Sequence, residues 1–192
     1  MRGYLLKIFI FLIPLIIIGG LMELMLRSIP NDFKNKKKYL DANSDHIEVL
    51  ILGGSHSLYG IYPAYLREKS FNACQVSQTL DFDLELLNKY ENKWSELRFI
   101  VLPISYASLF EKLEKSVEPW RIKNYCIYYK MKVSDYLPYY TEILSNNLET
   151  NVHRLYSYNF LKSGNAFCTK LGWDSTYSNK SEVIDLVKAG KV

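Results

Sequence analysis

The chain has 192 residues, a net charge of +4, 48% hydrophobic and 15% aromatic residues, enough to build one cored domain once the N-terminus is set aside. The positive excess is local: Arg27, Lys34, Lys36, Lys37 and Lys38 face only Asp32 in that stretch, so general basicity gives no support to nucleic-acid binding. Three cysteines (Cys74, Cys126, Cys168) without a Cys-x-x-Cys or a nearby histidine argue against a zinc site and a disulfide framework. No metal and no cofactor are expected, and Cys74, in an apolar run, reads as a small buried hydrophobe.

Residues 4–26 are apolar apart from Lys7 and Glu23. About twenty such residues cross a bilayer as a helix, and charges at the ends snorkel to the interface. Pro14, Gly19 and Gly20 are tolerated in a membrane helix. The run is long for a signal-peptide core and no Ala-x-Ala-like site follows it, so an uncleaved anchor over 1–27 in contact with membrane lipid is expected. The flanking charges favour a cytoplasmic C-terminal side, since Arg27 and the lysines at 34–38 outnumber Arg2 and Lys7. The same lysines also suit anionic head groups on either face. Residues 28–46 read as a basic juxtamembrane linker, leaving 47–192 as the domain.

The domain opens with the stretch around which the rest is arranged. Residues 47–52 read as a buried strand, followed by Gly53 and Gly54, then Ser55, His56 and Ser57. Two glycines permit a sharp turn, and open α/β sheets place their chemistry at such strand ends. A plain Gly/Ser turn accounts for the pattern equally well. Next come a short helix over 61–69, a strand over 71–76 ending in Ser77, and a long amphipathic helix. Leu80, Leu84, Leu87, Trp94 and Leu97, with Tyr90, define its inner face; Thr79 is its N-cap, and Asp81 and Asp83 favour its positive end. A buried third strand follows over 98–104. This alternation predicts an α/β fold with a parallel sheet flanked by helices. Beyond Ser105 the pattern loosens. Glu118-Pro119-Trp120 reads as a break, a helix capped by Ser134 runs towards Leu148, 157–180 read as loop, and 181–189 as a last helix stopped by Gly190.

The order of elements over 47–110, with its Gly-x-Ser turn, resembles the SGNH (GDSL-like) hydrolase superfamily, in particular bacterial membrane-anchored branches that handle cell-envelope polysaccharide. The resemblance implies a flavodoxin-like sheet and an acyl-ester hydrolase or O-acyltransferase with Ser55 as nucleophile. Ser55 and Ser77 would supply backbone N–H groups to an oxyanion hole, and Ser105 or Tyr106 stands where the family offers an Asn side chain. Gly54 replaces the family's usual Asp. No Asp-x-x-His element is present among His46, His56 and His153, although a serine needs a positioned base. His56 is the candidate base nearest in sequence, but neighbours on a tight turn point apart. About 150 residues after the linker is short for the full architecture, so a C-terminally shortened relative is expected.

Other patterns point less far. The turn lacks the Gly-Lys-Ser/Thr of a P-loop. Asp81, Asp83 and Glu85 read as a solvated first helical turn, His153 as a surface residue, and Asp174 as an acid without a histidine partner. Tyrosines between 125 and 140 suit core packing, or stacking on sugar rings. Three readings stay open: an extracytoplasmic envelope esterase or acyltransferase; a catalytically inactive glycan-binding or assembly module of the same fold; and a cytoplasm-facing protein whose basic linker meets anionic lipid.

Overall fold

The computed structural model describes residues 2–163 and 166–176, with side chains from residue 10; the helix expected at 181–189 lies outside the described residues. The fold is mixed α/β and divides into two units, residues 1–34 with 117–166, and residues 35–116 with 167 onward.

The first unit begins with α1 (Arg2–Ser28), which carries Pro14 inside it. Over residues 10–28 it is long and apolar enough to cross a membrane, and Ile10, Phe11, Ile16, Ile18 and Leu24 point outward. Its last turns are fixed by polar bonds. Glu23 pairs with Arg27 (2.6 Å) and accepts the backbone N–H groups of Glu142 and Ile143, both at 3.0 Å. Arg27 donates to the Tyr140 carbonyl at 2.8 Å. Helix α2 (Asp32–Asn43) follows, its first three residues in this unit and the rest in the second, with the Asn31 side chain accepting the Lys34 N–H. The basic segment read as a linker is therefore largely helical. Phe33 meets the rings of Tyr125 and Tyr129 edge-on, with centroids 5.1 and 6.2 Å away.

The second unit holds a three-stranded parallel sheet in the order β2-β1-β3: β1 (Val49–Ile51) at the centre, β2 (Ser70–Asn72) and β3 (Phe99–Val101) on either side. β1 is apolar and buried throughout, as a central parallel strand must be. Between β1 and β2 runs α3 (Ser55–Gly60) and then a single 3₁₀ turn at Pro63–Tyr65. The helix expected at 61–69 is absent. Its place is taken by α3, because Pro63 holds Tyr62 in extended backbone and the helix starts at once on Ser55.

Helix α4 (Leu80–Lys89) joins β2 to β3 and ends at Tyr90, so Trp94 and Leu97 are not part of it. Its inner face is Phe82, Asp83 and Leu86, continued by Tyr90, while Leu84 is exposed; the expected face was out of phase. Thr79 precedes it in extended backbone without a side-chain cap, its hydroxyl instead donating to Asp81. β3 differs too. Phe99 and Ile100 are exposed, so the strand is only half covered rather than buried.

Two further elements complete the first unit. A short helix, α5 (Ile122–Asn124), runs into a π turn at Tyr125–Tyr129 and stops at Lys130 in left-handed backbone. Helix α6 (Leu148–Phe160) is capped by the Asn147 side chain, which accepts the Thr150 N–H at 2.7 Å. It replaces the helix expected from Ser134 to Leu148 and enters the stretch read as loop. The reason is Thr141, whose backbone is extended (φ −133°) just before the two residues held by Glu23.

Candidate functional site

The resemblance implies that Ser55, Ser77 and Ser105 or Tyr106 meet at the carboxyl ends of the three strands. With the order β2-β1-β3, successive connections leave β1 on opposite sides, and the crevice beside its carboxyl end is the switch point at which open α/β sheets bind ligands. Leu52 extends β1 by donating to the Val101 carbonyl at 2.9 Å. Gly53 then turns with φ +114°, an angle that favours glycine, and a Cβ there would be tight, 3.2 Å from Ser57 Oγ. Gly54 is extended, and its carbonyl accepts the Leu58 N–H at 3.1 Å. Ser55 is therefore the first residue of α3, half-buried, and His56 is exposed.

What fixes this turn is a residue that the sequence pattern assigned to solvent. Asp83, from the first turn of α4, is buried. Its Oδ1 accepts the Gly53 N–H at 2.9 Å and a Gln78 amide N–H at 2.5 Å. Burial raises its carboxyl pKa to about 6 despite those two hydrogen bonds, and its Oδ2 has no partner among the described residues. Asp81 and Glu85 are exposed, as expected of a solvated turn. The phase of α4 carried the missing signal: Phe82, Leu86 and Tyr90 recur every four residues, which brings Asp83 to the edge of the inner face.

The second block closes on the first. Gln75 N–H donates to the Gly53 carbonyl at 3.3 Å, and the Gln78 carbonyl lies 3.5 Å from where a Cβ of Gly54 would be. Ser77 is in left-handed backbone at φ 58°. Asn72, also missed in the sequence, donates to the carbonyls of Ser57 and Ile61, both at 2.9 Å, and accepts the Cys74 N–H at 3.1 Å. It ties the end of β2 to α3. Cys74 is buried, which raises its thiol pKa to about 12, an unreactive hydrophobe as read.

The third block comes less close. Pro103 Cδ is 4.0 Å from the Cβ position of Gly53, but Ser105 is exposed and engaged locally. Its N–H donates to Ser108 Oγ at 2.9 Å, and its Oγ accepts the Ser108 N–H at 3.2 Å. Tyr106 is exposed, with its ring 5.2 Å from that of Phe110. Among the described residues no group hydrogen-bonds to the Ser55 hydroxyl or to its backbone N–H. His46 contacts Glu96 at 3.1 Å, and His153 contacts Ser157 at 3.4 Å. Asp174 is buried and accepts both Thr176 N–H and Thr176 O–H.

A strap at 168–174 covers the outer edge of β2. Leu171 carbonyl accepts the Asn72 N–H at 2.9 Å, Trp173 donates to the Tyr59 carbonyl at 2.9 Å, and its ring stacks on Tyr62 at 4.4 Å. A cavity of about 390 Å³ in this unit, lined by Lys36, Tyr39, Phe71, Thr169 and Gly172 among others, does not include Ser55. The site thus offers a hydroxyl and an N–H at the end of β1, on a turn held from beneath by a carboxyl group. It can hydrogen-bond a carbonyl or a sugar hydroxyl; proton abstraction would need a base, and among the described residues none is hydrogen-bonded to Ser55. No protein-family model, curated protein or solved structure matches the chain.

Proposed function

We propose that the protein is a membrane-anchored, SGNH-hydrolase-like module. Its ancestral activity is acyl-ester hydrolysis or O-acyl transfer on cell-envelope polysaccharide, and its Ser55 site now binds acylated glycan rather than cleaving it. One observation carries the reading. The strand–Gly53–Gly54–Ser55–helix turn takes a backbone form that favours glycine and is tied down by buried Asp83, while among the described residues no acid or base is hydrogen-bonded to Ser55. A backbone held that way is typical of a functional site, and a serine without a base is a hydrogen-bonding group rather than a nucleophile.

The anchor is α1, and the polysaccharide places the second unit outside the cytoplasmic membrane. The flanking charge count opposes this orientation, but several of its cations have partners within the protein, Arg27 with Glu23 among them. Lys36 is buried and donates to the Cys74 carbonyl, and Lys37 pairs with Asp41.

Treatment of the full chain in detergent with a fluorophosphonate probe, beside Ser55→Ala, separates binding from cleavage. The expected result is equal, background labelling of both chains. Labelling of the parent that Ser55→Ala abolishes would show an activated serine and restore the hydrolase reading.

A further inference from the structure

Helix α6 does not bury its apolar stripe as a helix of a water-soluble unit does. Its inner face is mixed: Asn151 is fully buried and donates to the Ile143 carbonyl at 3.2 Å, Arg154 pairs with Glu142 at 2.7 Å, and Leu155 and Tyr158 are half-buried beside them. Its outer face carries an apolar stripe, interrupted by exposed Glu149 and Asn159. Leu148, Val152, Tyr156 and Phe160 recur every four residues and are 67, 53, 53 and 73% exposed. The rings of Tyr156 and Phe160 stack on one another at 5.1 Å. Leu144 before the helix and Leu161 after it extend the exposed stripe.

The neighbourhood of this stripe indicates what covers it. α6 packs on α1, and the residues just before it, Glu142 and Ile143, are bonded to Glu23 in the last turns of α1. Four residues lie between Ile143 and Leu148, so α6 starts within about 18 Å of the contact with Glu23 near the end of the apolar span. Leu21, Leu24 and Met25 of α1 are themselves exposed there. Both helices, packed on one another, thus carry exposed apolar side chains.

We infer that α6 is a second membrane contact: a helix lying in the bilayer interface, with Leu148, Val152, Tyr156 and Phe160 in the acyl region and its inner face turned to the protein. The inference rests on α1 being a membrane anchor. The one arginine of α6 is paired with Glu142, and α6 has no lysine. The contact is thus apolar in origin and needs no anionic lipid, unlike the basic helices that follow surface charge. Tyr156 suits such a position, having an apolar ring and a polar tip.

The test uses the full chain in phosphatidylcholine vesicles, carrying an environment-sensitive fluorophore on a single introduced cysteine: Val152→Cys, Phe160→Cys, Thr150→Cys on the flank of the stripe, or Ile17→Cys in α1. The unsubstituted chain reports background from its own cysteines. Spin-labelled phosphatidylcholine is expected to quench positions 17, 152 and 160 and to leave 150 bright, at low and high salt alike. Quenching at 17 but not at 152 and 160 would overturn the inference and leave the anchor standing. No quenching at 17 would overturn the anchor and the inference with it. A blue shift at 152 and 160 that depends on protein concentration rather than on lipid quencher would assign the stripe to a second copy of the chain, which also overturns it.

Discussion

Glu142→Ala is expected to unfold much of the first unit, at a cost on the order of 3–5 kcal/mol, because it leaves a buried ammonium unpaired. Glu142 is fully buried. Its carboxylate accepts from Lys123 at 2.7 Å, Arg154 at 2.7 Å and Tyr128 at 2.5 Å. Burial alone would raise its pKa, but the hydrogen bonds and charges of Arg154 and Lys123 outweigh it and hold the group at about 2. A carboxyl whose folded value lies below its unfolded value stabilises the fold above the unfolded value and loses that contribution as pH falls. Here the window runs from about pH 5 down to about pH 2, and a lowering of this size is worth roughly 3 kcal/mol. Hydrogen exchange of the α5 and α6 amides is the appropriate measurement. Protection should fall steeply below pH 5 in the parent chain, and Glu142→Ala should be unprotected at neutral pH with no further acid step. Unchanged protection in the variant would mean that the cluster does not hold the unit together.

Gly172→Ala is expected to detach the 168–174 strap from β2. The added Cβ would stand 2.0 Å from the Asn72 carbonyl oxygen, and the backbone there has φ +83°. Backbone cannot yield as a flexible side chain would, so the strap must move. The Asn72 N–H then loses its acceptor at Leu171, and Trp173 loses both its stack on Tyr62 and its bond to Tyr59. Together these changes amount to on the order of 3 kcal/mol. Gly60→Ala is the natural control, since nothing lies within 4 Å of its Cβ position; it should be close to neutral. The check is exchange at the Asn72 amide, which should become fast in Gly172→Ala only. Equal protection in both variants would contradict the close approach at Gly172.

Much of the second unit was legible in its sequence. The run 49–52 could only be a buried strand, the glycines after it only a turn, and the alternation of apolar runs with polar breaks called for parallel strands. These features are local, and local pattern decides them. The phase of α4 was not local. Leucine spacing suggested one face, but Tyr90 ends the helix, and the surface that meets the sheet is set by Phe82 and Leu86. Asp83 was misread with it, because a carboxylate near a helix start usually faces water. Segment 28–46 looked like a linker because of its lysines, yet Lys36 and Leu40 are buried on one side of α2. α6 was hidden for the opposite reason. Its fully buried residue is Asn151, and Leu148, Val152, Tyr156 and Phe160 are exposed, so its apolar stripe does not mark the buried side as it does for a helix in water. Ser55 opens α3 directly after the glycine turn, but whether a base reaches it depends on residues far away in sequence, and spacing carries no information about that.

The central claim, that Ser55 binds an acylated glycan without cleaving it, is tested most directly by saturation-transfer NMR. The full chain in detergent would be mixed with an O-acetylated hexosamine oligosaccharide and, separately, with its deacetylated form. The account predicts saturation at the acetyl methyl, loss of that signal in Ser55→Tyr, and no growth of free acetate over the parent's background. Acetate release that Ser55→Ala abolishes, or saturation that neither the acetyl group nor Ser55 affects, would contradict it.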